Sequence, residues 1–132
     1  MYAADLDNGD MDVLSASWND DKIAWYRNDG TGSFSNQIVI TTMADSARSV
    51  YAADLDNDGD MDVLSASAND NKIAWYRNDG TGSFSSQIVI TTAANGAISV
   101  YAADLDNDGD MDVLSASFNG NTIAWHRVRF IF

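Results

Sequence analysis

The nine residues DLDNDGDMD stand at 54–62 and again, unchanged, at 104–112, and a version one residue shorter stands at 5–12. Oxygen-bearing side chains alternate around a glycine in each. In the second copy Asp54, Asp56 and Asp58 hold loop positions one, three and five, Gly59 position six, Asp60 position seven and Asp62 position nine. In the third copy the same places are held by Asp104, Asp106, Asp108, Gly109, Asp110 and Asp112. Alternate residues of a tightly turning loop can converge their carboxylates on one point. The glycine permits the bend, and position seven can turn its backbone carbonyl inward. Calcium takes about 6–8 oxygens at roughly 2.3–2.6 Å with tolerant geometry, so this donor set suits it. Magnesium demands near-ideal octahedral geometry and gives up water reluctantly, which suits it less. Zinc is disfavoured because the chain has no cysteine and a single histidine, His126.

The competing reading is that these are solvated Asp/Asn/Gly turns and nothing more. Two unchanged copies weigh against it, and so does electrostatics. Five carboxylates within nine residues repel one another unless a cation is bound or some are protonated. Removing calcium is therefore expected to loosen the loops and destabilise the fold. The first copy, Asp5-Leu6-Asp7-Asn8-Gly9-Asp10-Met11-Asp12, lacks one residue, read here as missing between Asn8 and Gly9. Asn8 offers an oxygen in place of the lost aspartate, but the compressed spacing predicts a weaker or empty site at Asp5, Asp7, Asn8, Asp10 and Asp12.

The loops recur every 49 to 50 residues inside a longer repeat, and residues 50–67 and 100–117 are identical. A period near 50 points to a propeller or another repeat array. The elements that must position the loops are strands. There is no proline, all 20 acidic residues are aspartate, and Val, Ile, Thr, Trp, Tyr and Phe are frequent. Four strands are expected per unit, in the second copy at 49–55, 62–67, 72–77 and 84–91, with period-two alternation of apolar side chains. Turn chemistry joins them at Asn69-Asp70-Asn71 and Asp79-Gly80-Thr81-Gly82. The first two strands carry small Ala and Ser, while the later ones carry Trp, Tyr and Ile. That gradient fits an antiparallel, four-stranded, wedge-shaped blade. The fold class is therefore all-β, with about three propeller blades at 1–48, 49–98 and 99–132. The third is incomplete, because after Trp125 the chain reads HRVRFIF and has neither the DGTGSF turn nor the QIVITT strand. That tail is expected to mimic a last strand or to extend the third one.

The segments DLDNDGDMDVLSAS and KIAWYRNDGTGSF, with the spacing between them, resemble the FG-GAP/VCBS repeat family. Its calcium-loop blades build integrin alpha-subunit propellers and many bacterial surface proteins. The resemblance runs from Tyr2 to about Trp125. EF-hands and dockerins share the aspartate loop but need flanking helices, and EF-hands need a glutamate at position twelve, where this chain has Ser65 and Ser115. The resemblance implies a β-propeller with Ca2+ in the loop between the first two strands of each blade. The ligands it implies are the side chains at positions one, three, five and nine and the carbonyl at seven. In this chain those are Asp54, Asp56, Asp58 and Asp62 with the carbonyl of Asp60, and the matching set in the third copy.

Propellers close with about 4–8 blades, and a repeat buries its faces only against neighbours. Three blades alone would leave open faces and sheet edges that recruit another chain. The expected partner is thus a second copy, giving a six-bladed ring with twofold symmetry. The net charge of −13 argues against nucleic acid. No apolar run approaches the ~20 residues of a membrane span. The recurring Trp25, Trp75 and Trp125 fill space between blades or stack on sugars. Positions 18, 68 and 118 (Trp, Ala, Phe) vary within near-identical surroundings, as a contact site or a tolerant one would. His126 replaces Tyr26 and Tyr76 and has no evident nucleophile to serve. Arg27, Arg77 and Arg127 are expected to pair with aspartates on neighbouring strands.

The sequence reading is a non-enzymatic, calcium-binding, self-assembling scaffold or interaction module with a protein or glycan ligand. A carbohydrate-binding lectin is the alternative. An enzyme would need a unique polar constellation, which a near-perfect repeat scarcely offers. The family resemblance places the chain outside the cell or at its surface. No signal peptide precedes the first loop, so a fragment or engineered segment is expected.

Overall fold

The computed structural model describes residues 1–128. Eleven strands form three antiparallel sheets. The first holds β1 (Tyr2–Ala4), β2 (Asp12–Ser17), β3 (Lys22–Tyr26) and β4 (Ile38–Thr41), hydrogen-bonded in that order. The second holds β5 (Ala47–Ala53), β6 (Asp62–Ser67), β7 (Lys72–Tyr76) and β8 (Ile88–Thr91) in the same arrangement. The third holds β9 (Ala97–Ala103), β10 (Asp112–Ser117) and β11 (Thr122–His126). These are two complete meander blades and one of three strands. The expected tail strand falls largely at 129–132, outside the described residues. No helix of the described residues is long and apolar enough to cross a membrane.

Local chemistry accounts for each connection. The hairpin between the second and third strands of every blade ends on a residue with positive φ. These are Asp21 at 56°, Asn71 at 56° and Asn121 at 51°. Asn and Asp visit this left-handed region because their short polar side chains bond locally. In the next turn Asp79 Oδ1 accepts both the Thr81 amide (2.9 Å) and its hydroxyl (2.6 Å), and Asp29 does the same for Thr31. These bonds lower the Asp29 and Asp79 pKa values. The fourth strand is shorter than 84–91. Phe84 makes one isolated bridge to Asn78, and the ladder begins only at Ile88.

Alternation along the strands puts a different apolar set on each face of a blade. In the middle blade Val63, Ala74 and Tyr76 face the first blade, where they meet Leu14, Ile23 and Trp25. Leu64, Ile73 and Trp75 face the third blade, where they meet Val100, Ala102 and Val113. The core is thus two slabs, one between each pair of blades. The inner strands bring Tyr2, Tyr51 and Tyr101 into a ladder. Adjacent ring centroids are 4.5 Å apart and adjacent planes differ by 48° at both steps. Burial and the neighbouring hydroxyls raise the pKa of Tyr51.

One gap interrupts the second slab. In the middle blade Tyr76 Oη bonds Ser65 Oγ (3.2 Å) and accepts from Gln87 Nε2 (2.8 Å). Lys72 Nζ lies 2.9 Å from Gln87 Oε1 and 3.2 Å from Asp70 Oδ2. The third blade has His126, Thr122 and Gly120 at the places of Tyr76, Lys72 and Asp70. These smaller groups border a cavity of about 200 Å³. His126 Nε2 keeps the bond to the serine, at 2.9 Å from Ser115 Oγ.

Two outcomes follow from this packing. Ile73 has no exposed surface, and Ile73→Ala should cost about 2–5 kcal/mol in urea unfolding by leaving a cavity in the second slab. Burial holds the His126 pKa below the ordinary 6.5. The unfolded chain therefore takes up the proton first, and the neutral ring's contribution is lost as pH falls below 6.5. The wild type should accordingly lose stability relative to His126→Tyr as pH falls from neutral to mildly acidic. A difference independent of pH would contradict the burial of this ring.

Candidate metal centre

The three aspartate loops connect the first and second strands of their blades. Each opens on a carboxylate that organises the loop from within. Asp54 Oδ1 accepts the amide of Asp58 (3.1 Å), and Asp54 Oδ2 that of Gly59 (2.9 Å). Asp104 does the same for Asp108 (3.2 Å) and Gly109 (3.0 Å). Gly59 and Gly109 carry φ of 92° and 91°, the bend that a side chain would strain. The loop then closes on a buried aspartate. Asp62 Oδ2 accepts the Leu55 amide (3.0 Å) and Oδ1 the Asn78 amide (2.9 Å). Burial pushes the Asp62 pKa up to about 6.

Three carboxylates converge in each loop. One oxygen each from Asp54, Asp56 and Asp58 lie within 4.8 Å of one another, as do oxygens from Asp104, Asp106 and Asp108. In the first loop the set is Asp5, Asp7 and Asp12. Of the other residues singled out, Asp60 and Asp10 donate their amides to Asp58 (3.0 Å) and Asn8 (3.1 Å). Their carboxylates lie against the turns at Gly80 and Gly30. Asp110 Oδ1 accepts from Asn57 Nδ2 at 2.6 Å, tying the second loop to the third. Asp112 Oδ2 accepts the Leu105 amide at 3.3 Å.

The hydrogen bonds relocate the deletion in the first loop. Asn8 Oδ1 accepts the Asp10 amide just as Asp58 Oδ1 accepts that of Asp60. The Asn8 amide donates to Asp5, as the Asp58 amide donates to Asp54. Asn8 therefore holds position five, and the missing residue is the counterpart of Asn57, not one between Asn8 and Gly9. Asn57 and Asn107 both sit at φ 59°, so the first loop has dropped its left-handed residue.

The position-three aspartates are the most constrained. Oδ1 of Asp7, Asp56 and Asp106 is buried and finds no hydrogen-bond donor among the described residues. An arginine two residues past each third-strand tryptophan reaches the same carboxylate. Arg77 Nε is 2.6 Å from Asp56 Oδ2, Arg127 Nη2 is 2.5 Å from Asp106 Oδ2, and Arg27 pairs with Asp7. The arginines thus serve their own loops. Burial, above all, raises the Asp56 and Asp7 pKa values; for Asp56 the Asp58 carboxylate adds to it, and in both Arg partly offsets it. A buried anionic oxygen without a donor, repeated three times, fits a hard divalent cation.

Asn78 carries no signal in the loop spacing, yet it welds the site to the fold. Its side chain donates to the Leu6 (2.8 Å) and Met61 (2.9 Å) carbonyls and accepts from the Gly80 (3.0 Å) and Gly82 (3.2 Å) amides. The repetition of RNDGTGSF is the sequence trace of this role. Trp25 and Trp75 are buried between blades, which leaves them unavailable to stack on a sugar. Trp18 is exposed and lies under the Arg48 guanidinium, 4.6 Å away, and Phe118 is exposed.

A family model described as an FG-GAP-like repeat matches residues 5–65 and again residues 54–115. The chain belongs to the FG-GAP-like repeat family. Each match begins at the first aspartate of one loop and runs into the second strand of the next blade, so the FG-GAP unit is framed by the loops. A search of curated proteins found no significant match.

The two amide bonds to Asp62 form within the protein itself, without a metal. Asp62→Ala should therefore destabilise even the chelator-treated protein, by about 2–4 kcal/mol for two stranded buried amides, measured by urea unfolding. An unchanged midpoint would mean that Asp62 serves the cation alone.

Proposed function

We propose that this chain is a calcium-binding, non-enzymatic β-propeller module that self-assembles and serves as a structural or interaction scaffold. The observation that carries the reading is the donorless buried oxygen of Asp7, Asp56 and Asp106, each beside two further converging carboxylates. Asp54, Asp56, Asp58 and Asp62, with the Asp60 carbonyl, would hold Ca2+ in the second loop. Asp104, Asp106, Asp108, Asp112 and the Asp110 carbonyl would hold it in the third. The first loop offers Asp5, Asp7, Asn8 and Asp12, with a neutral amide at position five and hence a weaker grip. Bound calcium would take over the neutralisation that arginine now gives in part.

Repetition supports a scaffold over an enzyme. Nearly every polar group of the loops and strands occurs two or three times, whereas catalysis needs a unique set. The Ser115–His126 pair stands where Ser65 and Tyr76 stand in the middle blade, which marks it as a packing contact. Extracellular calcium modules bind with dissociation constants of roughly 10⁻⁴–10⁻³ M, which fits a secreted or cell-surface setting.

Calcium titrated calorimetrically into chelator-treated protein should fill two sites per chain, with a third, weaker one at 5–12. Asp56→Asn should remove one strong site and leave the other. No heat of binding up to millimolar calcium would overturn the reading.

A further inference from the structure

The two ends of the blade stack are open, and they are the two halves of one interface. Trp125, Ile123 and Leu105 are 47 %, 77 % and 44 % exposed, whereas their counterparts Trp75, Ile73 and Leu55 are at most 6 % exposed beneath the next blade. At the other end Met1 is 93 % exposed, where its counterparts Val50 and Val100 are each buried at 4 %. Phe34 is also exposed, while its counterpart Phe84 packs edge-on to Trp25 with ring centroids 6.3 Å apart. Glycines report the same vacancy. A Cβ on Gly82 would lie 2.6 Å from the Trp25 ring, but one on Gly32 would meet nothing within 4 Å.

We infer that a second copy of this chain covers both open faces, head to tail, and that the ring closes at two chains. The inference rests on the propeller reading above, and it adds the residues of the interface and their head-to-tail order. The occupant is set by the repeat. The surface that covers Trp25 and Ile23 belongs to the middle blade, and the first blade carries nearly the same residues. Trp125 would then meet Phe34 of the second copy, as Trp25 meets Phe84. Asn28 of the second copy would donate to the Leu105 carbonyl, as Asn78 donates to that of Leu6.

The tyrosine ladder agrees with that number. Two identical rings related by rotation about an axis differ in plane by at most that rotation. The 48° seen at both steps therefore sets a lower bound on the turn from blade to blade. Within the range of about 4–8 blades, identical three-bladed chains close only at six, turning about 60° each. A turn of about 60° satisfies the 48° bound. A single chain does not close on itself, since both its end faces are open. The twofold axis of the pair is then the propeller axis, and its two interfaces are equivalent and heterologous.

Native mass spectrometry and sedimentation in calcium test this directly, and two chains are expected. Three chains, or a ladder that grows with concentration, would overturn the closing geometry while leaving the calcium reading intact. A single chain would overturn self-assembly as well. Ile123→Glu and Phe34→Glu, on opposite faces, should each reduce the mass to one chain while keeping two strong calcium sites. If Ile123→Glu does not fold, Phe34→Glu still decides. A dimer that survives Phe34→Glu would mean that the third blades pair with each other, and would overturn the head-to-tail assignment.

Discussion

A blade of this protein has two apolar faces, and water must be kept from both. That constraint organises everything else. Small side chains on the first two strands let successive blades approach near the axis, while Trp25 and Trp75 fill the wider space further out. Among the described residues the core is the two slabs between blades, so no blade is stable by itself, and stability is a property of neighbours. The same constraint makes the ends of the stack the least satisfied parts of the molecule. There Ile123 and Trp125, buried in the other copies, stand in solvent.

The aspartate loops are the second consequence of repetition. A chain with a net charge of −13 places 14 of its 20 aspartates in three short loops. Each loop gathers three carboxylates around a buried oxygen that lacks a donor, and arginine answers that charge only in part. The loops also bridge blades, through Asn57 to Asp110 and through Asn78 to Leu6. A cation that tightens a loop therefore tightens the blade contact beside it, which links the proposed metal sites to the proposed assembly.

Much of this was legible in the sequence because the physics is local. The strand at 62–67 and both of its apolar faces follow from alternation alone, and the hairpins follow from Asn, Asp and Gly. Other features depend on contacts distant in sequence. Alternation starts the fourth strand at Phe84, but Asn78 recruits the Gly80 and Gly82 amides, and the ladder begins only at Ile88. Alternation through Leu55 carries the first strand to 49–55, whereas the strand spans Ala47–Ala53. The Leu55 amide in fact belongs to the loop and bonds Asp62. Spacing alone does not separate a lost Asn57 from a lost aspartate in the first loop; the hydrogen bonds do. Convergence on position three and the arginine that meets it also became visible only in three dimensions.

The central claim is that blade faces are stable only when another blade covers them, the end faces included. The urea-unfolding midpoint, measured in calcium over about a hundredfold range of protein concentration, tests it most directly. The midpoint should rise with concentration if a second chain covers the end faces. A midpoint independent of concentration would show that three blades satisfy themselves, and would contradict it.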